Sequence, residues 1–286
     1  MLNDHQLRLI KNLAYVPEHL PDYFLSFSDA DPGYDQGLIF YKGQNQLNII
    51  AYPLREEGGQ LSLEGQVNDL VSSLKPGRVQ TVAPWALNLQ GYKIKAQEFD
   101  FYSCLTLQSI CRDCKLQNML RRARQECFVD IGSRFTRTDL DLLLRFIDIQ
   151  GFADQKAQFF HRLPDYLSKS EASFIVRAVS VQDKSLLAFS VFETGSRDYA
   201  FYLFNVTDRQ KGNIPGVNDL LLDTGLKEVF KQGRIYLNTG LGITPGIERF
   251  KAKWGAVRFL PYIFQQFEPG WSWKKKWAWR NRCLQE

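Results

Sequence analysis

Short apolar runs dominate the first hundred residues and predict mixed α/β structure. Runs at 39–41 and 47–52 flank the polar residues 42–46, which include one glycine, and this is typical of a hairpin. The segment 63–74 carries its apolar residues at helical spacing and is followed by Lys-Pro-Gly, which favours a helix that ends there. Residues 79–82 predict a further strand, and 92–107 predict one or two more.

From residue 112 onwards the pattern alternates between helical and strand periodicity in a specific order. The turns inside the group of three apolar strands are short, so those strands should be antiparallel neighbours. Thr136 offers a helix cap, and Pro164 should kink or break the helix that contains it. The expected elements are a basic helix at 112–125, a strand at 128–131, helices at 136–147 and 155–168, strands at 174–180, 186–192 and 199–206, a helix at 215–232, and strands at 235–237 and 257–263.

The segment between residues 235 and 255 has the most distinctive composition in the chain. After the apolar strand come Asn238 and Thr239, and then three glycines and one proline within 240–246. Glycines permit the positive φ angles of a sharp turn, and proline suits the first turn of a helix. Loop amides and a helix N-terminus at the carboxyl end of a strand commonly bind small ligands. The segment therefore predicts either a ligand site or a tight connection without a ligand.

Composition narrows the function only slightly. Hydrophobic residues make up 44% and charged residues 23% of the 286, as in a globular protein with a sizeable core. A net charge of +5 does not by itself indicate nucleic-acid binding. No run approaches the roughly 20 apolar residues of a membrane-spanning helix, and the first residues lack the shape of a secretory signal. The five cysteines are mostly isolated, which favours reduced thiols, so we expect a cytoplasmic protein.

Three local features suggest other chemistry. Cys111 and Cys114 have the spacing of a zinc or redox pair, but no further thiol or histidine has ligand-like spacing, so we expect no metal. The helix that follows contains Arg121 and Arg124, and is either a solvated face or a surface for phosphate groups. The tail, 266–286, interleaves Trp with Lys and Arg. We expect it to pack as an ordinary C-terminal segment, with a membrane interface or base stacking as alternatives.

The order of elements resembles the GNAT acyltransferase fold, and two segments resemble its Fem-type aminoacyltransferases and their acyl-CoA N-acyltransferase relatives. One is Tyr236-Leu-Asn-Thr-Gly240 together with Phe250-Lys-Ala-Lys-Trp-Gly255, and the other is the basic stretch 118–129. The resemblance covers about 115–265, and the first 110 residues share only α/β character. It implies an α/β protein of two GNAT-like lobes, each a mixed, mostly antiparallel sheet flanked by helices. The expected division is an acceptor-side lobe at 1–135, a donor-binding lobe at 136–265 and the basic aromatic tail at 266–286.

The resemblance also implies a cofactor site in the loop after the third strand of the group. The family pattern Arg/Gln-x-x-Gly-x-(Gly/Ala) is matched by Arg209 and Gly212, whereas Ile214 replaces the last small residue and Gly216 lies two residues on. Such a loop would cradle the pyrophosphate of acetyl-CoA or another acyl-CoA, and the alternative is a solvated polar loop. The expected cofactor contacts are Asn205, Val206, Arg209, Gln210, Lys211, Gly212, Asn213, Gly216, Thr239 and Gly240.

A transfer of this kind holds an amine against a thioester while a base or a water relay removes the proton. The candidate base is Glu193, with Asp208 as an alternative. Tyr202 could donate a proton to the leaving thiolate, and Asn238 would face the acyl group. Phe250, Lys251 and Trp254 would close one wall of the cleft. No Ser-His-Asp, HExxH or Walker pattern is present.

The resemblance therefore implies a bacterial-type acyl-CoA-dependent N-acyltransferase acting on a small-molecule or peptide-like amine. Two alternatives stay open. One is a Fem-like aminoacyltransferase that takes its acyl group from charged tRNA through the basic helix. The other is a binding module that retains the fold without catalysis. The acyl chain, the acceptor and the oligomeric state are left open by the sequence.

Overall fold

The structure is a computed structural model that describes residues 2–54, 60–208 and 214–270. The chain forms two compact units, each built from segments distant in sequence. Among the described residues, the first unit comprises 2–3, 30–100 and 261–270, and the second comprises 4–29 and 101–260. These units are defined by contacts, whereas the limits expected at 135 and 265 divide the chain by role, and those limits stay a prediction.

Nine helices and eleven strands lie in the described ranges, with short 3₁₀ turns at Pro17–His19 and Leu107–Ser109. The helices are α1 Asp4–Leu13, α2 Pro21–Phe27, α3 Gln60–Leu74, α4 Cys114–Glu126, α5 Arg137–Gln150, α6 Asp154–His161, α7 Leu163–Lys169, α8 Val217–Lys231 and α9 Pro245–Lys253. The strands are β1 Asp31–Asp35, β2 Leu38–Lys42, β3 Gln46–Ile50, β4 Arg78–Ala83, β5 Tyr92–Thr106, β6 Cys127–Gly132, β7 Ser173–Ser180, β8 Leu186–Glu193, β9 Tyr199–Thr207, β10 Tyr236–Leu241 and β11 Val257–Pro269.

The first unit contains a strand order of β1-β2-β3-β4-β11. The predicted hairpin is present, because β2 pairs antiparallel with β3 and Ile39 lies opposite Ile50. β3 and β4 are parallel, which requires a crossover, and α3 provides it. The apolar stripe of α3, including Leu63, Val67 and Val71, is buried against these strands. The helical spacing seen in the sequence therefore marks the face that closes this core.

In the second unit the strand order is β5-β10-β9-β8-β7-β6. The three consecutive strands β7, β8 and β9 are antiparallel neighbours, as predicted from their short turns. β10 returns parallel to β9 after α8. One face of the sheet packs against α4 and α8, and the other face packs against α5 and α7. The predicted mixed, mostly antiparallel α/β architecture with flanking helices is confirmed.

Local signals placed several boundaries of the second unit. α5 begins with a capping box in which Thr136 and Asp139 exchange side-chain and backbone hydrogen bonds. The Asp139 carboxylate also binds the buried guanidinium of Arg177, with an Nε–Oδ1 distance of 2.8 Å. The predicted helix at 155–168 is divided into α6 and α7, because Pro164 cannot donate the backbone hydrogen bond of a continuous helix.

The N-terminal elements were not predicted. β1 contains Pro32-Gly33, which is a turn signal, yet it pairs antiparallel with β2. The segment 4–29 belongs to the second unit: the Ser196 hydroxyl donates to the Ala14 carbonyl oxygen at 2.6 Å. In the parts of the chain that the structure describes, none of the helices has the length and apolar character needed to cross a bilayer.

Candidate functional site

The site is defined by the place where β9 and β10 separate. The two strands are paired in parallel only from Tyr199–Tyr236 to Phe201–Asn238, although β9 continues to Thr207 and β10 to Leu241. The other edge of β9 stays paired with β8 along this length. In the described ranges, no strand pairs with β9 from residue 202 to 207 on the β10 side. This cleft therefore presents backbone N–H and C=O groups that an extended ligand can pair with.

A β-bulge in β9 changes which side chains face each side of the sheet. Phe204 lies opposite Val191 and Tyr202 lies opposite Phe192, so Leu203 is the additional residue of the bulge. The extra residue shifts the alternation by one, and Tyr202 and Asn205 therefore point to the same face although they are three positions apart. That face is the one covered by α4 and α8.

Tyr202 and Asn205 form a polar cluster with Ser190 of β8. The Asn205 side-chain amide donates to the Tyr202 hydroxyl oxygen at 2.7 Å and to the Ser190 hydroxyl oxygen at 3.0 Å. The hydroxyl groups of Tyr202 and Ser190 are 3.4 Å apart. Burial raises the pKa of Tyr202 to about 12, although the two hydrogen-bond partners act in the opposite direction. At neutral pH the group is therefore protonated, and it can act as a proton donor but not as a base.

Asn238, Thr239 and Gly240 form a tight turn within β10, at the irregularity between its pairings with β5 at Asn238 and Leu241, where the pairing with β9 ends. The Asn238 side chain donates to the Tyr15 carbonyl oxygen at 2.9 Å and accepts from the Gly240 N–H at 2.8 Å. The Thr239 hydroxyl donates to the Ser103 carbonyl oxygen at 2.9 Å. Gly240 has a φ of +75°, which an L-residue rarely adopts. A Cβ atom there would lie 3.7 Å from the Tyr202 carbonyl oxygen, in the gap between the two strands.

α9 places a lysine and a tryptophan beside this turn. The Lys251 ammonium group donates to the Leu241 carbonyl oxygen at 2.6 Å, and the residue is only 5% exposed. It lies close to Gly240, since a Cβ atom on that glycine would be 3.9 Å from Nζ. Trp254 is fully buried and donates through its indole N–H to the Asp219 carboxylate of α8 at 2.9 Å. The predicted wall therefore contains one buried cation near the end of β10.

Glu193 lies on the opposite face of the sheet from Tyr202. Its carboxylate accepts hydrogen bonds from the hydroxyl groups of Tyr166 and Ser170 and from the Gly195 N–H. Burial raises its pKa above the ordinary value, while these hydrogen bonds act in the opposite direction. The structure therefore does not bring the two predicted proton-transfer residues together, since Glu193 contacts α7 and Tyr202 lies in the core below α8.

Asp208, the alternative base, is also held in an ion pair. Asp208 follows β9, is 5% exposed, and forms an ion pair with Arg145 of α5 at 3.1 Å. This pair joins the end of β9 to the helix layer that contacts Glu193. Like Glu193, Asp208 holds elements of the fold together in this structure.

The expected pyrophosphate loop is only partly described. Arg209, Gln210, Lys211, Gly212 and Asn213 lie outside the described residues. Gly216 precedes α8 with a φ of +86°, and a Cβ atom there would be 2.6 Å from the Met119 carbonyl oxygen of α4. The close approach of two helices therefore explains this glycine without a ligand. Val206 is buried on the α5 side of β9, so only its backbone can contribute to the cleft.

The sequence analysis did not identify Ser190 of the polar cluster or the two backbone contacts of the turn. Ser190 is the single polar residue inside the buried strand β8 before Glu193, and its isolation in an apolar run was the available signal. Tyr15 and Ser103 contribute only backbone carbonyl oxygens to the turn. No side-chain pattern can indicate such contacts, because they depend on which segments meet in space.

Comparison with solved structures identifies the fold of the chain. No model of a known protein family and no curated protein sequence matches the chain. Solved structures do match. The chain is similar to L-PGS from Bacillus licheniformis, with a TM-score of 0.58, 15% identity, and 98% of this chain and 96% of that chain covered. It is also similar to a tandem GNAT protein from the clavulanic acid biosynthesis pathway, with a TM-score of 0.57, 14% identity, and 94% and 97% covered.

A third similar structure is a conserved protein of unknown function from Bacteroides thetaiotaomicron, with a TM-score of 0.60, 11% identity, and 85% of this chain and 89% of that chain covered. Identities this low show the fold and not the activity. The chain therefore has a GNAT-like fold in a tandem-like arrangement, as predicted. A particular closeness to Fem-type proteins stays a prediction.

Proposed function

We propose that the second unit binds an acyl-CoA along the cleft between β9 and β10 and transfers the acyl group to an amine. The observation that carries the proposal is the early end of the β9–β10 ladder: among the described residues, no strand pairs with residues 202 to 207 on the edge of β9 that faces β10. The amide groups of a pantetheine arm can pair with such an edge as an added strand does. A tandem GNAT protein with the same fold, whose structure is described as being without AcCoA, supports this class of donor.

In this proposal the thioester lies near the point of separation, beside Asn238, Thr239 and Gly240. The amine nitrogen attacks the thioester carbonyl carbon, the carbon–sulfur bond breaks, and the leaving sulfur takes the proton of the Tyr202 hydroxyl. Water accepts the proton lost by the amine and returns a proton to the Tyr202 phenolate. Tyr202 suits this role because Asn205 donates to its oxygen, which leaves the phenolic proton available for an acceptor. Positioning of the two reactants supplies most of the acceleration.

The proposal also gives roles to the predicted pyrophosphate loop and to Glu193. The loop from Arg209 to Asn213 would hold the pyrophosphate through backbone N–H groups ahead of α8, as the sequence pattern indicates. We assign Glu193 a structural role, because its three donors and its position on the opposite face remove it from the cleft.

Isothermal titration with acetyl-CoA tests the proposal. We expect binding below millimolar concentration, and Arg209→Ala should weaken it by about 10-fold to 150-fold, since a charge-assisted phosphate contact contributes roughly 1.5–3 kcal/mol. Arg162→Ala is the matched control, because this arginine pairs with the exposed Asp29 and has no part in the proposed site. The absence of binding at millimolar acetyl-CoA would refute the proposal.

A second candidate is aminoacyl transfer from charged tRNA. It is favoured by the similarity to L-PGS over 98% of this chain and by the cationic residues of α4. The two candidates differ in their donor, so product formation from radiolabelled acetyl-CoA and from aminoacyl-tRNA separates them. A protein that binds acetyl-CoA but gives product with neither donor would be a binding module that retains the fold.

A further inference from the structure

A concave groove lies on the outer surface of the second unit, between α4 and α8. Its volume is about 680 Å³, which is within the range of small-molecule sites. The charged residues that line it are four cations and one carboxylate, an excess of three positive charges. They are Arg112, Arg121, Arg124, Lys227 and Asp223.

Asp223 holds three cations of this groove in place. Its side chain is only 1% exposed, and it forms ion pairs with Arg112, Arg124 and Lys227, each at 2.8 Å. Burial alone would raise the pKa of Asp223, but the hydrogen bonds and charges of its cationic partners outweigh burial and lower it. Three cations from three parts of the chain are therefore fixed around one buried charge.

The cations retain donors that face the groove. Arg112 uses its Nε atom for Asp223, and its guanidinium carbon lies 5.9 Å from the ring centroid of Trp254. Arg124 uses one terminal nitrogen for the same carboxylate. Within the described part of the chain, the terminal nitrogens of Arg112 and the Nε of Arg124 make no other hydrogen bond. Rigid guanidinium groups held in this way are suited to planar, bidentate contact with phosphate oxygens.

One buried carboxylate does not require three cations for neutralisation. Cations brought this close repel one another, and an anionic ligand in the groove would relieve that repulsion. Other basic residues of α4, such as Lys115 and Arg122, do not line the groove. The charge is therefore concentrated in one concavity rather than spread along a helix, which favours a compact anion over an extended nucleic acid.

We propose that this groove binds a small molecule bearing two adjacent phosphate groups. The site is separate from the acyl-donor cleft. Lys227 lies ten residues into α8, which places it about 15 Å along the helix from the N-terminus where the donor pyrophosphate is proposed. The proposal does not depend on acyl transfer.

Titration of the full-length protein with inorganic pyrophosphate tests the proposal, with Arg121→Gln and Arg122→Gln as a matched pair. Both arginines are exposed on α4 and both variants lose one charge, but only Arg121 lines the groove. Arg121 contacts Asn118 and not Asp223, so its removal leaves the buried ion pairs intact. We expect Arg121→Gln to weaken pyrophosphate binding at least fivefold and Arg122→Gln less than twofold.

Equal effects of the two arginine variants would overturn the proposal, since binding would then follow the overall charge of α4. The absence of pyrophosphate binding at millimolar concentration would also overturn it. Repeating the titration with saturating acetyl-CoA distinguishes the two sites. Pyrophosphate binding that acetyl-CoA abolishes and Arg121→Gln does not change would belong to the donor cleft and would refute the groove site. Binding that depends on Arg121 in a protein without acetyl-CoA affinity would support the groove and refute the acyl-transfer proposal.

Discussion

Gly240 offers the sharpest test of the cleft, because its substitution separates a change in stability from a change in ligand binding. Alanine at a φ of +75° adopts the left-handed region at a cost of roughly 1–2 kcal/mol. The new methyl group meets nothing closer than the Tyr202 carbonyl oxygen at 3.7 Å and Lys251 Nζ at 3.9 Å, which are ordinary contacts. The expected loss of stability is therefore the backbone strain alone.

Gly233 is the matched control. It has a φ of +77°, and a Cβ atom there has no neighbour within 4 Å. Gly233→Ala and Gly240→Ala should therefore lower the melting temperature by similar amounts, about 2–4 °C per kcal/mol for domains of 150–250 residues. Only the methyl group at Gly240 enters the gap between β9 and β10, so only that variant should weaken acetyl-CoA binding, by at least tenfold in a calorimetric titration. Equal affinities of the two variants, at equal losses of stability, would refute our assignment of the cleft.

Three further predictions concern the fold around the site. Because the pKa of Glu193 is raised in the folded state, the free energy of unfolding should fall as the pH rises from about 4.5 through the folded pKa. In urea unfolding, Glu193→Gln should flatten that part of the pH profile. An unchanged slope would contradict the raised pKa. Gly225→Ala should destabilise the protein by about 1–3 kcal/mol, because its Cβ atom would lie 2.0 Å from the Phe192 ring. Gly65→Ala lies within α3, where a Cβ atom would meet no neighbour within 4 Å, and it should stabilise the protein by about 0.5–1 kcal/mol. Melting temperatures that shift in the same direction in calorimetry would contradict this. Asp139→Asn should destabilise by about 1.5–3 kcal/mol, measured by urea unfolding, because it removes the buried one of the two carboxylates that pair with the Arg177 guanidinium and leaves only the more exposed Asp130, and a loss below 1 kcal/mol would contradict it.

Local signals in the sequence were sufficient for much of the fold. The short turns of the β7–β9 group predicted its antiparallel pairing, and the break at Pro164 separates α6 from α7. The cap at Thr136 is present with its reciprocal hydrogen bond. Each of these features depends on residues within a few positions of one another, so a periodicity or a turn residue is enough to predict it.

The details of the site depend on features that periodicity does not contain. A bulge at Leu203 decides which face of the sheet receives Tyr202, and nothing in the alternation of apolar residues marks that extra position. The sequence suggested Glu193 as the base and Tyr202 as the proton donor, whereas regular alternation on β8 and the bulge on β9 place them on opposite faces. The groove could not be predicted from the sequence either, since Arg112 and Asp223 are 111 positions apart.

The contacts of residues 14 and 15 have a consequence for the order in which a newly made chain can fold. The Ala14 carbonyl oxygen receives its hydrogen bond from Ser196, and the Tyr15 carbonyl oxygen receives its bond from Asn238. At a synthesis rate of about 5–20 residues per second, the second of these donors follows its acceptor by roughly 10–45 s. Residues 4–29 therefore leave the ribosome long before the strands that cover them, and the second unit closes only after β10 has been made.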